Sequence, residues 1–410
     1  MSQKAHHVGE TAPMIEMTIG DKLEEIAAAN PYHPALIMPH QDIRWSYEEF
    51  NGQVDRFAAG LIHMGIEKGD RVGIWSPNRV EWVLTQFATA KIGAIMVCVN
   101  PAYRLFELEY VLNKVGCKAL VTAEIFKTSS YLDMLNELAP ELSDCAPGAL
   151  KSQKFPHLTT VIRMGDGKSP GMYNFDNVMD MGTESDAKAA KAVARTLHAN
   201  DNINIQFTSG TTGTPKGATL SHRNILNNAF LSARSMRLTS VDRLCIPVPL
   251  YHCFGMVLGT LLCVSVGATM VSPGEVFEPE QTLRTASEEK CTALHGVPTM
   301  FIAQLDLPNF KDFDVGPLRT GIIAGSTCPV ELMNRMIKDM ELTEIVIGYG
   351  QTECSPINTM TAIEDSFEQR VSTVGRAHYN WQQKIIRDDG SMADIGEQGE
   401  VCSKGYGVMA

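Results

Sequence analysis

Ten residues, Thr208-Ser209-Gly210-Thr211-Thr212-Gly213-Thr214-Pro215-Lys216-Gly217, follow directly on the apolar run Ile203-Asn204-Ile205-Gln206-Phe207. They hold four Thr, three Gly, one Ser and one Lys. A strand that empties into such a loop presents backbone N–H groups, hydroxyls and one ammonium together, and its glycines let the backbone approach a ligand closely. A polyphosphate needs that donor set. A solvated linker has no use for a lysine fixed between Pro215 and Gly217. The next residues, Ala218-Thr219-Leu220, read as another strand. The loop therefore lacks the Walker order, in which Gly-Lys-Ser/Thr leads into a helix, and no GxGxxG dinucleotide fingerprint is present.

Strand and helix patterns alternate through most of the chain, which argues for an α/β protein with layered sheets. Ser46-Tyr47-Glu48-Glu49 is a capping box opening a helix toward Met64. Arg71–Trp75 reads as a strand, Arg79–Ile92 as a helix, Ala94–Val99 as a strand, and Leu105–Val115 as a helix closed by Gly116. Gly93-Ala94-Ile95-Met96-Val97 returns as Gly267-Ala268-Thr269-Met270-Val271, and Cys117-Lys118-Ala119-Leu120 returns, at the same distance along the chain, as Cys291-Thr292-Ala293-Leu294. Asp70-Arg71 similarly returns as Asp242-Arg243. Either shared strand composition or two similar α/β subdomains would account for this. The expected division is residues 1–200, a first α/β subdomain with an N-terminal segment and a charged linker helix near Asp186–Ala199; residues 201–375, a second carrying the phosphate loop; and residues 376–410, a small β subdomain with strands Lys384–Arg387 and Glu400–Ser403.

A net charge of −12 argues against non-specific nucleic-acid binding. The ten Cys include no CxxC pair and sit mostly in apolar runs, as buried thiols of a reducing, cytoplasmic compartment do. The N-terminus has neither a secretory nor an Arg-rich transit pattern. Leu244–Gly274 carries no Asp, Glu, Lys or Arg, but Pro247, Pro249 and His252 interrupt it. It reads as a strand, a buried helix at Phe254–Val266 and a strand at Ala268–Val271, with no transmembrane segment.

The loop Thr208–Gly217 resembles the phosphate-binding signature of the adenylate-forming (AMP-binding) superfamily, which includes acyl-CoA synthetases, luciferases and adenylation domains of peptide synthetases. Ile347-Gly348-Tyr349-Gly350-Gln351-Thr352-Glu353 resembles that family's adenine- and magnesium-binding segment. Weaker likenesses lie at Pro249–His252, His295–Thr299, Ala324–Ser326, Val374–Arg376 and Gly399–Val401, so the resemblance runs from Ile19 onward.

The resemblance implies a ligase that activates a carboxylic acid with ATP and Mg2+, then passes the acyl group to CoA. It assigns Thr208, Ser209, Gly210, Thr211, Thr212, Gly213 and Lys216 to the triphosphate, Glu353 with Thr208 to the metal, and Thr352 to the α-phosphate. Gly348, Tyr349, Gly350 and Gln351 fall on the adenine, with Tyr349 along its face, and Gly325, Ser326 and Thr327 on a loop closing over adenine and the acyl carboxylate. His252 is expected beside that carboxylate. Gly255, Met256, Gly296, Val297 and Gly325 are expected to line the acyl pocket, with Gly255, Gly259 and Gly296 leaving room for the chain. No Asp stands near Tyr251–Phe254 to hold an α-amine, so a medium- or long-chain fatty acid is expected, and an aryl acid second. A homodimer is compatible with the family.

In that family the chain continues through a ribose-binding Asp, a hinge and a mobile domain bearing a catalytic Lys, and none of these is in the sequence. The resemblance thus implies the large N-terminal domain with the C-terminal lid absent, able to bind nucleotide and impaired in the full reaction. The rival readings are a non-catalytic nucleotide-binding scaffold and, more distantly, a Walker-type NTPase.

Overall fold

The computed structural model describes residues 3–208 and 214–410. Two large sheets dominate it. The first has seven strands in the spatial order Met172–Asn174, Thr160–Arg163, Ala119–Thr122, Arg71–Trp75, Ile95–Cys98, Asn202–Thr208 and Lys216–Ser221. All its pairings are parallel except the last. The second has nine, ordered Arg376–Ala377, Ile357–Met360, Glu344–Gly350, Thr320–Ile323, Ala293–Leu294, Arg243–Cys245, Thr269–Val271, Pro34–Met38 and Ile43–Ser46, parallel within and antiparallel at both ends. The buried runs Ala119–Thr122 and Thr269–Val271 explain the parallel centre, because such strands are covered on both faces.

The repeated segments occupy equivalent places. Ala119–Thr122, Arg71–Trp75 and Ile95–Cys98 stand in the same order as Ala293–Leu294, Arg243–Cys245 and Thr269–Val271. Their turns match as well. Ile95 N–H donates to the Asp70 carbonyl at 2.7 Å and Thr269 N–H to that of Asp242 at 3.0 Å. Gly93 and Gly267 each close a helix with a left-handed φ, 69° and 79°. One side-chain position differs: Lys118 Nζ reaches Asp70 at 2.6 Å, where Thr292 Oγ1 donates to Asp242 at 2.7 Å. Shared composition would not reproduce strand order and turn bonding together.

Sheet membership departs from the sequential division at 200/201. Asn202–Thr208 and Lys216–Ser221 extend the first sheet, while Pro34–Met38 and Ile43–Ser46 close the edge of the second. Arg376–Ala377 caps the other edge of the second sheet, and the small three-stranded sheet draws His6–Val8 to Trp381–Ile386 and Glu400–Gly405. An open sheet edge exposes unpaired N–H and C=O groups, and any strand within reach can cover it whatever its place in the chain.

Local signals act as expected at Tyr47–His63, where Glu49 N–H donates to Ser46 Oγ at 3.2 Å and Ser46 N–H to Glu49 Oε2 at 2.8 Å. The charged linker helix runs over Glu184–Ala194, capped by Thr183. Helix Val80–Ile92 is buried at every residue, and Gln86 meets the following segment through Thr260 Oγ1 at 2.7 Å. That segment, expected as one helix over Phe254–Val266, is an α-turn at Cys253–Gly255, a π-helical stretch at Met256–Leu261 and an α-helix at Leu262–Val266. Thr260 Oγ1 also donates back to the Met256 carbonyl at 2.8 Å, a bond that competes with the regular helical pattern. Among the described residues no helix is long and apolar enough to cross a membrane.

Candidate active site

A cleft of about 1060 Å³ opens where strands of both sheets end. Thr208 ends one strand, Gly350 ends another, and Ala324–Thr327 follows Thr320–Ile323. Crevices at the carboxyl ends of parallel strands are the usual ligand sites of such sheets.

Strand Glu344–Gly350 buries Ile345–Ile347 and then emerges. A Cβ at Gly350 would lie 1.8 Å from the Pro356 carbonyl oxygen, and one at Gly348 would lie 2.8 Å from Ile357 Cδ1. Gly350 excludes a side chain because the neighbouring backbone is so close, and one at Gly348 would have to displace the Ile357 side chain. Tyr349 between them stands 43% exposed on the cleft wall, an unusual place for a large aromatic with nothing to cover it. A tight turn at Thr352–Cys354 then places Thr352, buried, and Glu353, half-buried, in the same wall. The turn is held from behind: Met409 N–H donates to the Glu353 carbonyl at 2.9 Å, and Asn228 brackets Ile357 by accepting from its N–H at 3.1 Å and donating to its carbonyl at 2.7 Å. The Glu353 carboxylate has no ion-pair partner among the described residues.

His252 caps the short helix after it. Its Nδ1 accepts the Phe254 N–H at 3.2 Å, which puts the proton of the neutral ring on Nε2. The ring is open to the cleft yet ringed by protein, and this burial lowers its pKa. The adjacent Cys253 thiol is pushed up to about 12 by burial, so it stays protonated and is no nucleophile.

The cleft thus gathers Thr208, His252, Gly325, Ser326, Thr327 and the run from Gly348 to Glu353. Lys216 stands outside its lining, exposed at the start of a strand, in register with Thr208. Ser209, Gly210, Thr211, Thr212 and Gly213 lie outside the described residues. The room expected at the glycines is filled by protein. A Cβ at Gly255 would meet the Pro249 carbonyl oxygen at 2.3 Å, one at Gly259 would meet Ile246 at 2.9 Å, and one at Gly296 the Phe301 ring at 2.9 Å. Small residues here permit close packing and open no pocket. Met256 is fully buried beside Cys98 and Gln206, and Val297 lies under Gly325, its Cγ1 3.2 Å from where a Cβ would sit.

The apolar wall comes instead from Phe254, Leu258, Ala324, Ile347 and Ile357. Sequence reasoning gave no role to Val371–Gly375, which lines the cleft. Gly375 is demanded there by a φ of 81° and by the Met360 backbone 2.1 Å from its would-be Cβ. Val374-Gly375-Arg376 was legible as a weak likeness, but none of these side chains announces chemistry. Among the described residues no group of three or more His, Cys, Asp and Glu could hold a metal unaided. A lone cleft carboxylate suits a Mg2+ that takes its remaining oxygens from phosphate and water.

The AMP-binding enzyme family matches residues 23–410. The chain belongs to that family. Among its relatives, a Bacillus subtilis protein provisionally named as an acyl-CoA synthetase, YngI, is 47% identical over 401 residues, covering 97% of this chain and 72% of its own length. The bovine mitochondrial medium-chain acyl-CoA ligase ACSF2 is 43% identical over 409 residues, covering 98% of this chain and 66% of its own. The chain therefore spans about two thirds to three quarters of these relatives. Among solved structures, the anthranilate CoA ligase AuaEII bound to anthranoyl-AMP superposes with a TM-score of 0.84 at 23% identity, covering 97% of this chain and 71% of that one. The N-terminal domain of FACL13 from Mycobacterium tuberculosis does so with a TM-score of 0.81 at 25% identity, covering 96% and 90%. Family membership and fold thus agree with the α/β layering read from the sequence.

Proposed function

We propose that the protein is an acyl-CoA synthetase that forms an acyl-adenylate in this cleft. The observation that carries the reading is the convergence of Thr208, His252, Tyr349, Thr352 and Glu353 on one cavity from segments far apart in the chain. A carboxylate oxygen of the acid attacks the α-phosphorus of ATP, and pyrophosphate leaves with the electrons of the broken P–O bond. The CoA sulfur then attacks the acyl carbonyl and AMP departs. Tyr349 lies along the adenine. Thr352 donates to the α-phosphate, and Lys216 with the loop 208–213 neutralises the β- and γ-phosphates. His252 donates from Nε2 to the acid carboxylate and orients it for attack. Glu353 and Thr208 would hold the Mg2+, which would supply charge neutralisation on the phosphates.

The acid is a medium- or long-chain fatty acid. The apolar wall at Phe254, Leu258, Ile347 and Ile357 supports this, as does the absence of an Asp in the segment Tyr251–Phe254 to pair an α-amine. The location in this proposal is cytoplasmic, and cell fractionation decides between it and the mitochondrial location named for ACSF2. Acid-dependent ATP–pyrophosphate exchange with the native protein, screened over straight-chain acids from acetate to palmitate and over benzoate, tests the reading. Exchange should peak at medium or long chains. No exchange with any acid would refute it, and a peak at benzoate would refute the substrate class.

A further inference from the structure

His295 is fully buried and uses both ring nitrogens. Nδ1 accepts the Ile322 N–H at 3.0 Å, so the proton sits on Nε2, which lies 2.8 Å from the Leu258 carbonyl and donates to it. Each bond meets a local need. Strand Ala293–Leu294 ends just before His295, so the imidazole serves as acceptor in the gap between the Ala293–Thr320 pair and the Gly296–Ile323 bridge. Leu258 lies in the π-helical stretch Met256–Leu261, where carbonyls leave the regular α pattern.

The two anchored segments each lead into residues that line the cleft. Phe254 and Leu258 line its apolar side, and the Phe254 ring lies 5.4 Å, centroid to centroid, from His295. Ile322 leads through Ile323 into the Ala324–Thr327 wall. An aliphatic residue would leave a buried N–H and a buried C=O unpartnered, and a lysine could serve only the carbonyl. We propose that His295 is a positioning residue that ties the acid-binding wall of the cleft to its nucleotide-binding wall through the Leu258 carbonyl and the Ile322 amide. The proposal rests on the adenylation reading of the cleft.

Two near-isosteric variants separate the bonds. In His295→Asn the amide oxygen takes the place of Nδ1 and keeps Ile322, but nothing reaches Leu258. In His295→Gln the amide nitrogen takes the place of Nε2 and keeps Leu258, but the acceptor for Ile322 is lost. His295→Asn in the native protein should raise KM for the acid on the order of tenfold and leave KM for ATP within about twofold. His295→Gln should do the reverse. Hydrogen exchange measures the same split without relying on activity: Asn should speed amide exchange over residues 256–262, and Gln over residues 322–327. Thermal unfolding confirms that both variants fold. Equal effects of the two variants on both walls, or no effect on either, would overturn the inference. Should the native protein show no acid-dependent exchange, the functional reading falls and the hydrogen-exchange pattern alone decides the role of His295.

Discussion

Glu353 is a carboxylate in a cleft wall without an ion-pair partner among the described residues, and Tyr349 is an exposed aromatic between two closely packed glycines. Both were legible because Tyr-Gly-Gln-Thr-Glu sets them in a fixed order after an apolar strand. Glu353→Gln keeps the size and removes the charge. It should lower acid-dependent pyrophosphate exchange about 10²- to 10³-fold with unfolding unchanged, and native exchange rates would remove Glu353 from the metal site. The buried histidines were not legible, since no pattern tells a core imidazole from a cleft one. Burial brings the pKa values of His222, His295 and His378 to about 4, from an ordinary value of 6.5. The unfolded chain therefore takes up protons that the folded chain refuses. Their contribution to stability is full above pH 6.5 and is lost as pH falls toward 4. Going from pH 7 to pH 5 should cost roughly 2 kcal/mol for each imidazole, read as a falling urea midpoint. A midpoint unchanged over that range would show that these rings protonate freely in the folded protein.

Elements with one apolar face and a clear terminal signal match the sequence reading nearly to the residue, as at Tyr47–His63 behind its capping box and Leu105–Val115 ahead of Gly116. The segment after His252 does not, because an element buried all round has no periodicity to betray a π-turn. Glycines were the other source of error: a sequence does not say whether a missing side chain leaves space or makes contact. Gly296→Leu, which empty space would turn into a change of chain-length preference, should instead drive a side chain into the Phe301 ring and cost about 1–3 kcal/mol of stability. Full stability with a shifted chain-length profile would restore Gly296 to the pocket. Gly52, in the middle of Tyr47–His63, has nothing within 4 Å of a would-be Cβ. Gly52→Ala should therefore raise stability by about 0.5–1 kcal/mol in chemical denaturation, and a loss would mean that the helix face is occupied.

At the scale of the molecule, the repeat was legible in paired strand motifs, and the exchange of strands between the two halves was not. Which strand covers an open sheet edge depends on tertiary packing, which no local pattern records. That exchange matters to the site. Asn202–Thr208 carries Thr208 out of the first sheet, and Glu344–Gly350 carries Tyr349 out of the second, so the cleft has a wall from each. In the proposed reaction an acid carboxylate attacks the α-phosphorus of ATP between those walls. The most direct test supplies the native protein with ATP, Mg2+, CoA and octanoate labelled with 18O in its carboxylate, and follows the label by mass spectrometry. The AMP should carry one 18O atom, left behind when the sulfur displaces it from the acyl-adenylate. Label appearing in inorganic phosphate, with ADP as the nucleotide product, would contradict it.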